Sequence, residues 1–457
     1  MLKELIGDRQ FYSKLLTVTL PLVVQQLITS SVQLVDNVMV GRLGESSIAS
    51  VSVVNQLFFV VILITFGIMG GAGIYSAQYF GSKDYAKLRQ TFRFKLLAAV
   101  LVGMLSLVLF TLFGPALIAV FTDQKATASG GMDYLRIVRF SILPWVLSVA
   151  IANTFRETGI TRPLLYISIA AILINTSLNF LLIFGWFGFP ALGIIGAAIA
   201  TLIARVLELL LSLILLIRKG SAFSTRIRDL FKVKRSVLSR ILLMALPLTL
   251  NEGLWSLGQT TFLHAYSTRG DSALAAINIT NAMSQIVFIT FGAIATGVAV
   301  LVGNTLGEGA LEEARANAKK LIAVSVAFAV LMGSLLFLLS FFVIDLYDVS
   351  DFTKRTAAFN IRINALFIPV YSFNMALYFI LRSGGDMRST LMMDSGYVWI
   401  VMVPVALVLA YRTALPVTTM FLIVQSLDVP KLFFALDRYR KGYWIRNLAI
   451  AESKELL

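Results

Sequence analysis

Along the 457-residue chain, uncharged apolar stretches of about 18 residues or more alternate with short polar connections from one end to the other. Each stretch is long enough to cross a hydrocarbon core of about 30 Å, which takes roughly 20 helical residues. Membrane strands would instead show alternating segments of roughly ten residues. These runs are continuous and rich in Leu, Ala, Ile and Val. The pattern therefore predicts twelve helices, at 12–40, 45–80, 86–113, 129–155, 163–185, 191–217, 238–267, 272–306, 311–345, 355–382, 389–411 and 414–437. No stretch is left for a soluble domain. Composition agrees: 58% hydrophobic residues and 14% charged ones, with a mean hydropathy of +0.85, mark an all-α integral membrane protein.

Self-similarity divides the array in two. Pro21 in TLPLVVQQ matches Pro247 in ALPLTLNE, and Gly44 in RLGESSIASVSVVNQ matches Gly270 in TRGDSALAAINITNA. ITFG recurs at 64–67 and 289–292, and Arg156 in FRETGITR matches Arg382 in LRSGGDMR. The offset is 226 throughout, or 225 at ITFG. Six helices per copy is an even number, so both copies enter the membrane in the same orientation and form parallel repeats. The expected organisation is an N-terminal lobe at 1–217, a basic cytoplasmic linker at 218–237, a C-terminal lobe at 238–437 and a cytoplasmic tail at 438–457. Two such lobes, rocking about a substrate held between them, form a transporter plan.

Charge then orients the array. The connections GSKDYAKLRQTFRFK, RETGITR, RKGSAFSTRIRDLFKVKR, RSGGDMR and the tail DRYRKGYWIR are basic, whereas GWFGFPALG carries no charge and DLYDVSD is acidic. By the positive-inside rule both termini are cytoplasmic, in a multi-pass protein of the plasma membrane. The net charge of +15 is thus a topology signal at the inner membrane surface, not the mark of a nucleic-acid partner. The basic start MLKELIGDRQFYSK precedes an apolar run too long for a signal peptide, so the first helix is expected to remain.

Enzyme chemistry finds little footing. There is no cysteine, hence no disulfide, thiolate metal site or cysteine nucleophile. No GxxxxGK[ST] loop is present, which leaves an ion gradient or a partner subunit as the energy source. The single histidine, His264, lies near the outer end of the seventh helix without a Ser/His/Asp set or metal-ligand spacing. A non-enzymatic transporter without a cofactor is the expectation, with the lipid bilayer as its surroundings and no obligatory protein partner.

Asp36 is the chemical exception inside the apolar pattern, since an ionisable group in a spanning helix costs about 2.5–3.5 kcal/mol and tends to face a cavity or a partner. Counted at about 1.5 Å per residue from Lys14, it stands roughly 33 Å along an untilted first helix. Asn175 and Asn179 stand at roughly 20 and 26 Å on the fifth helix, and their i, i+4 spacing stacks both amides on one face. A carboxylate flanked by amide oxygens suits a small cation: Na⁺ takes oxygen ligands, and a proton needs only the carboxylate. Bonding to the loop or to Arg42 is the structural alternative for Asp36. The second lobe offers Glu252, close to the midplane, with Asn251 and Trp255 beside it and Gln26 as its repeat partner; a pairing with Arg362 is its structural alternative. Asp394 is placed in the inner half, within reach of Arg388. Arg205 with Glu208, and Lys431 with Asp428, look structural.

At this point PLVVQQLITSSVQLVDNVMVGRLG, GIMGGAGIYSAQYFGSKDY, NTSLNFLLIFG followed by GIIGAAIAT, and LRSGGDMRST resemble the multidrug and toxic compound extrusion (MATE) family. The resemblance spans about 12–440. It implies a V-shaped pair of six-helix lobes exporting small organic cations, often aromatic drugs, in exchange for Na⁺ or H⁺. It further implies that Asp36 is the ion-binding carboxylate of the first lobe, with Asn175, Asn179 and Thr201 around it. Some members carry an aspartate where Asn179 stands. Members with a second-lobe cation site pair a glutamate like Glu252 with an aspartate on the tenth helix, where this chain has Tyr371; Glu252 is then expected to bind substrate cations or protons. A lipid-linked oligosaccharide flippase of related architecture is the alternative function.

Overall fold

The computed structural model describes residues 5–347 and 349–450; positions 1–4 of the basic start, Asp348 of the acidic connection and 451–457 of the expected tail lie outside them. Among the described residues there are twelve helices long and apolar enough to cross a membrane: α1 (Arg9–Gly41), α2 (Glu45–Gly81), α3 (Tyr85–Leu112), α4 (Lys125–Glu157), α5 (Arg162–Phe184), α6 (Ile194–Lys219), α7 (Arg235–Ser267), α8 (Asp271–Gly307), α9 (Leu311–Leu339), α10 (Asp351–Ser383), α11 (Met387–Arg412) and α12 (Val417–Lys441). No strand is present among them.

Local chemistry sets many of the ends. Gly44 before α2 and Gly270 before α8 are repeat partners, and both hold a positive φ, 103° and 92°, that a side chain would resist. Asp84 and Asp386 cap α3 and the first turn of α11 by accepting from the backbone N–H of Lys87 and Ser389. Two helices depart from regular α geometry. Within α4 a 3-10 turn spans Arg139–Ser141, just before Pro144, which has no N–H to return to the residue-140 carbonyl. Within α11 the ladder is of the wider π type over Met392–Gly396 and Val398–Met402, ahead of Pro404. The expected ninth helix, 311–345, ends at Leu339 and is followed by a separate 3-10 turn, Val343–Leu346.

Two compact units result, one comprising residues 20–249 and the other 1–19 with 250–457. Their limits fall inside α1 and α7, next to the paired prolines Pro21 and Pro247. In the first unit α4 packs on α2, α3 and α6, and α5 packs on α6; in the second, α10 packs on α8, α9 and α12. Each unit also holds one half-helix by a glycine contact. A Cβ on Gly71 of α2 would strike the Ala245 backbone of α7, and a Cβ on Gly297 of α8 would strike Thr19 of α1. Both pairs are related by the offset of 226, so one close-packing device is written twice in the chain. Near the C-terminus, Trp444 is buried and stacked on Tyr439 at 5.5 Å, so the segment just past α12 is packed into its unit.

Candidate functional site

In the unit 20–249, α1 and α5 bring together the residues singled out in the sequence. Asn179 Nδ2 donates to Asp36 Oδ1 at 2.8 Å and to Asn175 Oδ1 at 3.4 Å. Counting along upright helices left Asp36 and Asn179 about 7 Å apart in level; the hydrogen bond shows them at one level. Asn179 is only 3% exposed, and its Oδ1 is buried with no hydrogen-bond partner. The neighbouring Thr176 hydroxyl is buried and unpartnered as well. Thr201 of α6 lies beside the phenol of Tyr134 of α4, on which the charges of Asp36 and Arg205 also act. Asp36 itself makes no ion pair among the described residues and is not bonded to Arg42. Arg205, whose charge acts on Asp36 through space, is paired with Glu208 on its own helix at 2.7 Å.

One carboxylate, one free buried amide oxygen and nearby hydroxyls make a site of oxygen donors with a single formal charge. That donor set fits a proton or a monovalent cation; a divalent ion would call for more carboxylates. No group of three or more His, Asp or Glu side chains placed to hold a metal ion is found among the described residues.

The unit containing 250–457 gathers a different set. Asn251 Nδ2 of α7 donates to Asp394 Oδ2 at 2.8 Å and to the Tyr378 hydroxyl at 3.2 Å, and its Oδ1 accepts from the Ser395 hydroxyl at 2.7 Å. Lys431 of α12 pairs with the other oxygen of Asp394 at 3.5 Å. Arg388 was one expected partner of Asp394; the carboxylate faces Asn251 of α7 and Lys431 of α12 instead. Glu252 is half-buried, with Arg382 and Asp394 acting on its charge. Arg362, its candidate structural partner, donates to Ser340 and stacks 4.1 Å from the Phe341 ring. Tyr371 packs edge-on against Phe288 at 4.7 Å. Trp255 is half-buried, and Gln26 is exposed in the other unit, where its neighbour Gln25 donates to Ser168 at 2.5 Å. Gln25–Ser168 and Asn251–Asp394 are repeat counterparts. The first unit adds a second link eleven residues further along both helices, Asp36–Asn179, where the second unit has Phe262 and Val405.

Sequence reasoning missed one charged group of note. Lys95 of α3 is fully buried and paired with Glu157 at the end of α4, and it also donates to Thr154 at 3.3 Å. Gly73 leaves the space that the Glu157 carboxylate occupies. Its position in the basic run TFRFK gave no sign of burial. His264 meets the Tyr411 hydroxyl at 2.9 Å on an exposed edge.

Comparison with known proteins places this arrangement. The MatE family model matches residues 21–181 and again 247–411. The chain is 27% identical over 405 residues to "Probable multidrug resistance protein YoeA" of Bacillus subtilis (strain 168), covering 87% of this chain and 86% of that protein. It is 26% identical over 408 residues to "Probable multidrug resistance protein NorM" of Rhodopseudomonas palustris, covering 86% and 84%. Among solved structures, the outward-facing conformation of a multidrug resistance MATE family transporter of the MOP superfamily superposes with a TM-score of 0.85 at 18% identity, over 95% of this chain and 97% of that one.

Proposed function

Since the chain belongs to the MatE family of membrane transporters, we propose that it is an antiporter of the plasma membrane that exports organic, cationic and amphipathic compounds in exchange for H⁺ or Na⁺. The observation that carries this reading is the state of Asp36: a carboxylate in a spanning helix, held by one amide and by no internal cation. A hydrogen bond to a charged acceptor contributes about 1.5–3 kcal/mol, comparable to the cost of about 2.5–3.5 kcal/mol for placing the charge there. Loading a cation is therefore finely balanced, as a reversible carrier requires. The unpartnered Asn179 Oδ1 can accept from a protonated carboxyl or ligate Na⁺, with Asn175 and Thr201 completing the surroundings.

Coupling then follows from differential affinity. If the loaded and empty forms of Asp36 favour different orientations of the lobes, and substrate favours one of them, each gradient drives the other. The relatives named for multidrug resistance support a broad organic substrate range. On this reading the basic connections face the cytoplasm, as do both termini. Glu252, Asn251, Trp255, Tyr371 and Asp394 are the candidate substrate or second proton residues of the second lobe, and Gln26 is the candidate of the first. The flippase reading is less well supported, because Arg205, Lys95 and Lys431, three of the embedded cations on which a pyrophosphate would draw, each face a carboxylate.

The test is transport of a fluorescent organic cation by the reconstituted protein under separately imposed Na⁺ and pH gradients. One gradient should drive export, and Asp36→Asn should abolish that drive while the protein still inserts and folds. Full gradient-driven export by Asp36→Asn would remove the carboxylate from the coupling role.

A further inference from the structure

Outside the spanning helices, the linker between α6 and α7 carries a feature that transport does not use. It is pinned to its own unit. Phe223 is 1% exposed, edge-on to Phe92 at 5.0 Å and to Phe155 at 4.9 Å. Arg93 of α3 donates to the Thr225 hydroxyl at 2.7 Å and to the Lys232 carbonyl at 2.9 Å, and Gln90 accepts from the Lys234 backbone at 3.0 Å. Successive turns follow, through Asp229 N–H to the Arg226 carbonyl and Lys232 N–H to the Asp229 carbonyl. Yet in this held segment Ile227 is 89% exposed and Phe231 82% exposed.

Three features say what covers them. The linker joins two spanning helices, ending at Lys219 and starting at Arg235, so it lies at a membrane face. Its anchors Gln90 and Arg93 stand six and three residues before Leu96, where the long apolar run of α3 begins, about 5–9 Å along the helix. That is the level of the headgroup layer, which adds about 5–8 Å to each side of the hydrocarbon core. Charge is the third feature: residues 218–235 hold seven Lys or Arg against one acid, Asp229, and Arg226, Arg228, Lys232 and Lys234 are all exposed. Asp229 pairs with Lys232 at 2.7 Å, and that hydrogen bond holds its carboxyl below the usual carboxylate range, so the carboxylate stays ionised at neutral pH. At the other end of α6, the connection with exposed Trp186, Phe187 and Phe189 carries no charge, as an interfacial aromatic belt does. The linker differs by its cations.

We propose that the 218–235 linker is a docking surface for anionic phospholipid, with Ile227 and Phe231 inserted at the headgroup–acyl boundary and Arg226, Arg228, Lys232 and Lys234 on the lipid phosphates. Apolar insertion and basic attraction act together, as they do for interfacial segments that need two signals to hold a membrane. The inference does not depend on which ion drives transport.

The absence of cysteine makes the test direct. A nitroxide on Ile227→Cys is compared with one on Glu312→Cys, whose native side chain is 87% exposed to solvent, in vesicles of phosphatidylglycerol and of phosphatidylcholine. Collision rates with oxygen and with a water-soluble nickel chelate report depth. We expect the oxygen-to-nickel ratio at 227 to exceed the reference severalfold in phosphatidylglycerol. It should fall toward the reference in phosphatidylcholine, in the triple variant Arg226→Glu, Arg228→Glu, Lys232→Glu, and at about 1 M salt, where the screening length drops to about 3 Å. A ratio equal to the reference in phosphatidylglycerol overturns the proposal. So does insertion indifferent to lipid charge, and so does low access to both reagents, the mark of a covering protein surface.

Discussion

Two buried or half-buried carboxylates in one unit have opposite situations. Among the described residues Asp36 receives a neutral amide and no cation, whereas Glu157 is locked to the fully buried Lys95. Removing one member of a buried pair leaves an uncompensated charge, which costs about 3–5 kcal/mol, while replacing both by apolar or neutral groups is often close to neutral. Lys95→Met and Glu157→Gln should therefore each lower the thermal midpoint of the detergent-solubilised protein sharply. The double variant should recover most of the loss. Equal destabilisation by the double and by Lys95→Met, read from thermal unfolding, would show that the pair is not the stabilising unit. None of this was readable in the sequence: Lys95 closes a run of basic residues that look solvated, and its partner lies 62 positions away with no repeat counterpart to point to it.

At the level of helices, the sequence was most informative where one physical constraint acts alone. Hydrocarbon thickness sets span length, and the twelve predicted helices match those observed to within a few residues at most ends. Interior irregularity was less legible, because a π-type ladder satisfies the same hydrophobic pattern as an α-helix. Pro144 and Pro404 were the available signals for the breaks in α4 and α11. The glycines of α2 and α8 were readable as close-packing positions, though not as a matched pair, since that needs the partners Ala245 and Thr19. Their environments make a specific prediction. A methyl at Gly71 meets the main chain of Ala245, which no substitution can remove; a methyl at Gly297 meets the end of the Thr19 side chain, whose Cβ lies at 3.3 Å. Gly71→Ala should thus lose stability without rescue by any change at 245, while Gly297→Ala should be rescued by Thr19→Ala. Thermal unfolding of the four variants checks this, and rescue at the first contact with none at the second would contradict it.

Over the whole chain, duplication has produced two units alike in fold and unequal in charge. Gln25–Ser168 and Asn251–Asp394 occupy the same repeat positions, so one neutral link has become a charged one in the second unit. The reverse holds further along, where Asp36–Asn179 corresponds to the apolar Phe262 and Val405. The repeat and the individual carboxylates were legible in the sequence; which groups each carboxylate meets was not, because the partners of Asp394 come from α7 and α12, distant in the chain. In the second unit Glu252, Asp394 and Asp428 outnumber Arg382 and Lys431, which act on them. On the proposed reading, an excess of acid there attracts organic cations, whereas Asp36 serves the driving ion. The two sites should separate by substrate. Glu252→Gln is expected to weaken transport of cationic compounds by about 1 kcal/mol, roughly fivefold in KM for a half-buried charge contact, and to leave neutral amphipathic compounds unchanged. Asp36→Asn should abolish gradient-driven export of both. Initial rates over a matched panel of cationic and neutral substrates discriminate the two variants, and a uniform loss across the panel for Glu252→Gln would assign it to coupling with Asp36 and not to substrate charge.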